Sequence, residues 1–320
     1  MRILFAGTPE IAVPSLKRIS AAYPCVVLTG TDRHAGRGRK TAPSPVKQSA
    51  DALGLRVIAA DKINTAVREE VRAFGPDILV VAAFGKIFRK SFLDLFPLGG
   101  INLHPSLLPR YRGPSPVTAA ILGGDEITGV TIQRMALEVD SGAVLAQERV
   151  ALTGIETTGA LSEKLGILGA ELLMGVLGAV QAGKATELVQ NAADATYCGM
   201  VKKEHGRIDW GEAAGLIERK VRAYDPWPRA YTTWKGAVLL VLKSKEYPDT
   251  LSPVSGSAEG NNVPAGKVVG SRPEYGILVQ TGRGILAVES LQLQNKKAMD
   301  WRSFVNGHPG VLGSEFGRTE

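Results

Sequence analysis

The run ILVVAA, residues 78–83, contains no polar position. A strand with one wet face alternates apolar and polar residues. A run without alternation reads as a strand buried on both faces. Similar segments lie on either side. Residues 2–6, 26–31 and 56–59 read as strands, and residues 9–19, 45–55 and 66–74 as helices. Residues 100–104 form a further strand, and a helix follows near 116–122. The runs TGVTIQRM (128–135) and AVLAQERVAL (143–152) are strands, and residues 158–182 a long helix. Strands separated by helices make an α/β fold: a Rossmann-like, mostly parallel sheet with helices on both faces. The last two strands share a short loop and are expected to be antiparallel, at an edge.

The pattern changes after residue 183. Residues 184–210, KATELVQNAADATYCGMVKKEHGRIDW, show little periodicity. Then come TTWKGAVLLVLKS, GKVVG, YGILVQTGRG and ILAVESLQLQ, short strands separated by turn residues, which point to a small antiparallel β-barrel. The stretch PDTLSPVSGSAEGNNVP has the composition of a surface loop. The expected division is a catalytic domain over 1–184, a linker over 185–204 and a second domain over 205–320.

The chain has 320 residues, 44% of them hydrophobic, and a net charge of +7. That length suits one large and one smaller domain. The positive charge favours a polyanionic partner. No run is apolar for long enough to span a membrane. The opening MRILFAGTP goes directly into a strand, unlike a signal or transit peptide. Cys25 and Cys198 have no metal or redox spacing, so two ordinary thiols in a reducing cytoplasm are expected. The same holds for His34, His205 and His308, around which no ligand spacing is found, and no metal is implied.

Residues 100–113 read GINLHPSLLPRYRG. Side chains alternate along a strand, so Ile101 and Leu103 face one helix layer while Asn102 and His104 project together on the other side. They stand at the carboxyl end of the strand, where open parallel sheets bind ligands. An Asn amide can donate to a developing oxyanion, and a His can carry a proton. The pair suits attack on a carbonyl or formyl carbon. Asp140, in LEVDSGAVL just before Ser141-Gly142, is the candidate third member. A carboxylate beside an imidazole orients it and raises its pKa.

NLHPSLLPRYRG, TGVTIQRM and VDSG together resemble the folate-dependent formyltransferase family. RILFAGTPEIAVPSL, DRHAGRGRKTAPSPVK, RIDW, PWP and KKAM look like the branch of that family whose acceptor is aminoacylated initiator tRNA. The resemblance covers nearly the whole chain. It implies formyl transfer from 10-formyltetrahydrofolate to the amine of charged initiator tRNA, with Asn102, His104 and Asp140 as the catalytic set. It implies a folate site at Ser106, Leu107, Leu108 and Pro109, with the loop at Phe84, Gly85 and Ile87 and the turn at Asp140, Ser141 and Gly142 as walls of the pterin pocket. The barrel is similar to the family's OB-like domain.

The basic loop DRHAGRGRKTAPSPVK (32–47) carries Arg33, Arg37, Arg39, Lys40 and Lys47 among Gly and Pro. It follows a strand, which places it at the same end of the sheet as Asn102. Such a loop can follow a phosphate surface and order on contact. The resemblance makes it the tRNA-gripping loop, with Arg37 the acceptor-stem contact. Lys202, Lys203, Arg207, Lys243, Lys245, Lys296 and Lys297 are further candidates for contact with the tRNA backbone. His34 stands where the family loop usually has Pro, and Thr118 replaces a frequent Gln. A monomer is expected. The rivals are an acceptor amino sugar nucleotide, glycinamide ribonucleotide, or a non-catalytic RNA-binding role. A nicotinamide dehydrogenase is disfavoured because AGTPEI is not G-x-G-x-x-G.

Overall fold

The structure is a computed structural model that describes residues 1–35, 40–248 and 263–318. Two compact units emerge. The first comprises residues 1–120, 126–152 and 160–200, and the second residues 121–125, 153–159 and 201–320.

Among the described residues, the first unit is built on nine strands and six α-helices. The strands are β1 (Ile3–Gly7), β2 (Cys25–Thr29), β3 (Arg33–Ala35), β4 (Lys40–Ala42), β5 (Val57–Ala59), β6 (Ile78–Ala82), β7 (Gly100–His104), β8 (Ile127–Arg134) and β9 (Val144–Ala151). Seven of them form one sheet in the order β5-β2-β1-β6-β7-β8-β9. The first five are mutually parallel; β8 and β9 run antiparallel at the edge. β1 and β6 lie inside the sheet and are buried at every position, as the unbroken ILVVA run requires.

Helices α1 (Val13–Ala22), α2 (Pro45–Ala52), α3 (Thr65–Phe74), α4 (Lys90–Leu93), α5 (Pro116–Gly123) and α6 (Thr158–Gln181) follow the strands. Their ends obey local chemistry. Ser44 caps α2 by accepting from Lys47 N at 3.1 Å, with Pro45 in the first turn. Asn64 caps α3, which stops at Gly75 in the left-handed region. One face of the sheet packs Leu4, Ala6, Leu28, Leu79 and Val81 against Val67 and Val71 of α3 and against Phe88, Phe92 and Phe96. On the other face, Gly169 of α6 leaves space for Leu103 and Val130, which a Cβ would strike at 2.6 and 3.0 Å. Burial of each such Leu or Phe contributes about 1.5–3 kcal/mol.

β3 and β4 pair antiparallel, so the flanks of the basic loop form a short ribbon rather than irregular chain. Arg37 and Arg39 lie outside the described residues, as do the side chains of Arg33 and Lys40. Residues 185–200, within the stretch expected to be a linker, pack on the first unit. Leu188 pairs with Val144 in both directions at 2.8 Å, and Cys198 N donates to Arg112 O at 2.8 Å.

The second unit holds β10 (Ala230–Trp234), β11 (Ala237–Tyr247), β12 (Val268–Arg272), β13 (Gly276–Gln280), β14 (Ile285–Leu293) and β15 (Met299–Asp300). The order is β10-β11-β14-β13-β12, all antiparallel, with β15 on β14. The segment 313–317 joins the two outer strands. Gly313 N donates to Val268 O and Gly317 N to Thr233 O. Trp210, Trp234, Phe304 and Phe316 fill the core. Two helices absent from the sequence reading belong here: α7 (Ala214–Ala223) and α8 (Trp301–Gly307), the latter capped by Asp300. Among the described residues, no helix is long and apolar enough to cross a membrane.

Candidate active site

β7 lies between parallel β6 and antiparallel β8. Strand alternation turns Leu103 toward α6 and Asn102 and His104 to the opposite face. The register sets Asn102 beside Gln133 and His104 beside Thr131. Asp140 reaches the same place from the loop between β8 and β9.

The Asp140 carboxylate is surrounded by donors. Oδ1 accepts from Gln133 Nε2 at 2.9 Å and from Asn102 Nδ2 at 3.3 Å. Oδ2 accepts from the backbone N–H of Gly113 at 2.8 Å and faces His104 Nδ1 at 3.6 Å. The three sequence-predicted residues are therefore brought together, with Asp140 touching both others. Asp140 has φ 52°, a left-handed conformation that is rare outside glycine. Two glycines permit this packing. A Cβ on Gly142 would lie 1.9 Å from Arg134 O, and one on Gly113 2.3 Å from Cys198 O.

His104 Nε2 donates to Tyr111 O at 2.9 Å. Only 5% of its side chain is exposed. Burial outweighs the Asp140 carboxylate and the Tyr111 carbonyl, and holds the imidazole below its ordinary value of 6.5. This corrects the sequence expectation that Asp140 would favour the charged imidazole. The carboxylate does pull that way, but desolvation is the larger effect.

The loop after His104 is braced from beneath. Thr131 Oγ1 donates to Ser106 O at 2.6 Å and accepts from Leu108 N at 3.1 Å. Gln147 Nε2 donates to Leu108 O and to Thr131 Oγ1. The Ser106 hydroxyl is used within the loop, donating to Arg110 O at 2.6 Å. Leu108 is buried, Pro109 half-buried, and Leu107 lies over Gly129.

The other expected residues have surroundings of their own. Phe84 is buried at the end of an aromatic stack, 5.4 Å from Phe88, so its ring serves the core. Gly85 has φ 72° and Ile87 is exposed. Ser141 Oγ donates to Glu138 O at 3.1 Å. Lys202, Lys203 and Arg207 are exposed in the second unit, as are Lys296 and Lys297. Lys243 and Lys245 are both drawn to Glu289 at 2.8 Å, which offsets their charge. Lys47 pairs with Asp32 at 2.7 Å instead of standing free in the basic loop. Cys25 and Cys198 are free thiols, and burial pushes Cys25 up to about 12.

The sequence reading missed Gln133, Gln190 and Arg112. Gln133 had a detectable signal: it is the polar residue of TIQRM on the face that Asn102 shares. Gln190 and Arg112 had none in periodicity, because the half-buried Gln190 and the buried Arg112 are held by partners distant in sequence.

The family model for formyl transferase matches residues 2–177, and that for the formyl transferase C-terminal domain matches residues 200–309. The chain is 41% identical to the methionyl-tRNA formyltransferase of Treponema denticola, over 99% of both chains. It is 43% identical to that of Chloroflexus aggregans, over 96% of this chain and 97% of the other. The chain belongs to the methionyl-tRNA formyltransferase family. It is a formyl-transferring enzyme. Among solved structures, the methionyl-tRNA formyltransferase from Clostridium thermocellum superposes with a TM-score of 0.55 at 16% identity, covering 77% of this chain and 94% of that one. HypX from Aquifex aeolicus in complex with tetrahydrofolic acid superposes with a TM-score of 0.64 at 15% identity, covering all of this formyltransferase and 51% of HypX. At these identities the superpositions establish the shared fold, the α/β sheet unit and the antiparallel second domain foreseen in the sequence.

Proposed function

We propose that this enzyme transfers the formyl group of 10-formyltetrahydrofolate to the α-amine of methionine on initiator tRNA, giving N-formylmethionyl-tRNA. The observation that carries this is the convergence of Asn102, His104 and Asp140 at the carboxyl end of β7. End-to-end similarity to relatives named for that acceptor supports the choice of substrate.

The roles follow from atoms in place. The neutral amine nitrogen bonds to the formyl carbon, which becomes tetrahedral, and its oxygen gains negative charge. Asn102 Nδ2, whose contact to Asp140 is a long 3.3 Å, can turn a hydrogen bond to that oxygen. His104 keeps its Nε2 proton on the Tyr111 carbonyl, so Nδ1 is the atom that takes the amine proton. Asp140 Oδ2 faces that nitrogen and stabilises the imidazolium while it lasts. The proton then passes to N10 as the carbon–N10 bond breaks, and tetrahydrofolate leaves. The balance closes without a metal ion.

The remaining assignments form part of the same reading. Ser106–Pro109, with Gly85, Ile87, Ser141 and Gly142, hold the folate. Arg33, Arg37, Arg39, Lys40, Lys202, Lys203 and Arg207 contact tRNA phosphates. Residues 1–184 carry catalysis with 185–200 packed against them, and 205–320 form the OB-like tRNA-binding domain. The enzyme is a cytoplasmic monomer. The test is formyl transfer from 10-formyltetrahydrofolate with three acceptors side by side: methionyl initiator tRNA, an amino sugar nucleotide and glycinamide ribonucleotide. Transfer to the charged tRNA alone is expected. Transfer to the sugar nucleotide instead would discard the tRNA assignment and keep the catalytic trio.

A further inference from the structure

Asp140 is held by its side chain and also by its backbone, and the backbone grip comes from one residue. Gln190 Nε2 donates to Asp140 O at 2.9 Å and to Gly142 O at 2.7 Å, and lies 3.3 Å from Gln133 Oε1. The carbonyls on both sides of the left-handed turn are thus tied to one amide. The orientation of that amide is determined on its other side. Gln190 Oε1 accepts from Arg112 Nε at 3.1 Å and from Arg112 Nη2 at 2.8 Å. A guanidinium can only donate, so Oε1 must face it and Nε2 must face the turn.

Arg112 is itself fixed. It is 4% exposed, its Nη1 donates to Tyr197 OH at 3.3 Å, and its backbone N–H donates to Thr196 O at 2.8 Å. Its chain neighbours hold the catalytic groups directly. Tyr111 O receives His104 Nε2, and Gly113 N–H binds Asp140 Oδ2. One segment therefore sets the imidazole and the carboxylate through its backbone, and the turn beneath the carboxylate through the Arg112 side chain and Gln190.

We propose that Gln190, oriented by Arg112, is a positioning residue for formyl transfer: it holds the Asp140 turn so that the carboxylate faces His104 Nδ1. This rests on the reading of Asp140 as the orienting carboxylate. Gln190 touches neither reacting group, and acts through Asp140.

The test uses the full-length enzyme and two readouts. The first is formyl transfer to methionyl initiator tRNA by wild type, Gln190→Ala, Asp140→Asn and the double variant. Gln190→Ala is expected to lower kcat roughly 10- to 100-fold, as a misplacement near 1 Å does, with KM for the tRNA within about twofold. In the Asp140→Asn background the same change is expected to cost almost nothing further. A full additive loss, or unchanged kcat in folded Gln190→Ala, would overturn the proposal. The second readout is the ring nitrogen chemical shifts of His104 between pH 5 and 9. They are expected to change in Gln190→Ala, and identical shifts overturn the proposal whatever the acceptor. If wild type fails to formylate the tRNA, the substrate assignment falls, while the His104 shifts still decide the role of Gln190. Should Gln190→Ala not fold, Arg112→Met/Gln190→Met removes the buried charge together with its acceptor and serves in both measurements.

Discussion

Asp140 Oδ2 stands 3.6 Å from His104 Nδ1, while His104 Nε2 is committed to the Tyr111 carbonyl at 2.9 Å. One ring nitrogen is engaged by the backbone, and the other is turned to the carboxylate. With burial holding the imidazole below its ordinary value, His104 is ready to accept a proton at neutral pH.

The pH dependence follows. The folded pKa of His104 lies below the unfolded value of 6.5, chiefly through burial. As pH falls through the unfolded value, the unfolded chain binds a proton that the folded one refuses, so stability declines. The contribution is fully present above 6.5 and is lost between the unfolded and folded values. His104→Gln is expected to remove this slope, measured by denaturant unfolding between pH 5 and 8. For kcat/KM, the acid limb should lie below 6.5, and Asp140→Asn should move it lower still by removing the charge that pulls the pKa up. A limb that rises on that substitution would contradict the assignment.

Thr131 organises the loop after His104 with a single hydroxyl. Itself buried, it donates to Ser106 O and accepts from Leu108 N and from the more exposed Gln147 Nε2. Thr131→Val keeps the shape and leaves these groups unpaired. The expected cost is about 1–3 kcal/mol of stability. If the Ser106–Pro109 loop holds the folate, KM for the formyl donor rises while the tRNA KM stays constant. Calorimetry and steady-state kinetics on the one variant check both.

Gly142 offers a sharper structural test. A Cβ there would lie 1.9 Å from the Arg134 carbonyl, which is backbone and cannot swing aside. Gly142→Ala should push the turn outward and carry Asp140 away from His104. Loss of activity by at least about 100-fold is expected. A crystal structure of the variant showing Asp140 unmoved, together with normal turnover, would refute the claim that this close approach sets the site.

How the site could be read in the sequence depends on the kind of signal each part left. ILVVA was legible because a strand buried on both faces tolerates no polar residue. Asn102 and His104 were legible because strand alternation puts two polar side chains on one face where burial would penalise them. The same kind of signal marks α7, where Ala214, Ile217 and Val221 recur at i, i+3 and i+7 among charged Glu218, Arg219, Lys220 and Arg222. Gln190 escaped because its hydrogen bonds run to residues 48–78 positions away, and no local pattern encodes them. The protonation of His104 escaped because desolvation depends on the whole packed environment, whereas the neighbouring carboxylate was visible as a single letter.

The basic side chains of the second unit divide into two groups that should behave differently toward tRNA. Lys243 and Lys245 share Glu289, whose carboxyl their charges help hold below the usual range against the opposing effect of burial. Binding a phosphate through either would mean giving up that partner. Lys202, Lys203 and Arg207 are exposed, close in sequence, and carry no such acidic pairing among the described residues. Each phosphate contact contributes close to one unit to the slope of log affinity against log salt, about 0.7 to 0.9. Lys202→Ala/Lys203→Ala should therefore weaken tRNA binding and flatten the salt dependence by up to about 1.8. Lys243→Ala should leave both nearly unchanged. Filter binding across a salt series distinguishes the cases, and an equal loss from the two groups would mean that surface charge alone, without pairing, governs contact.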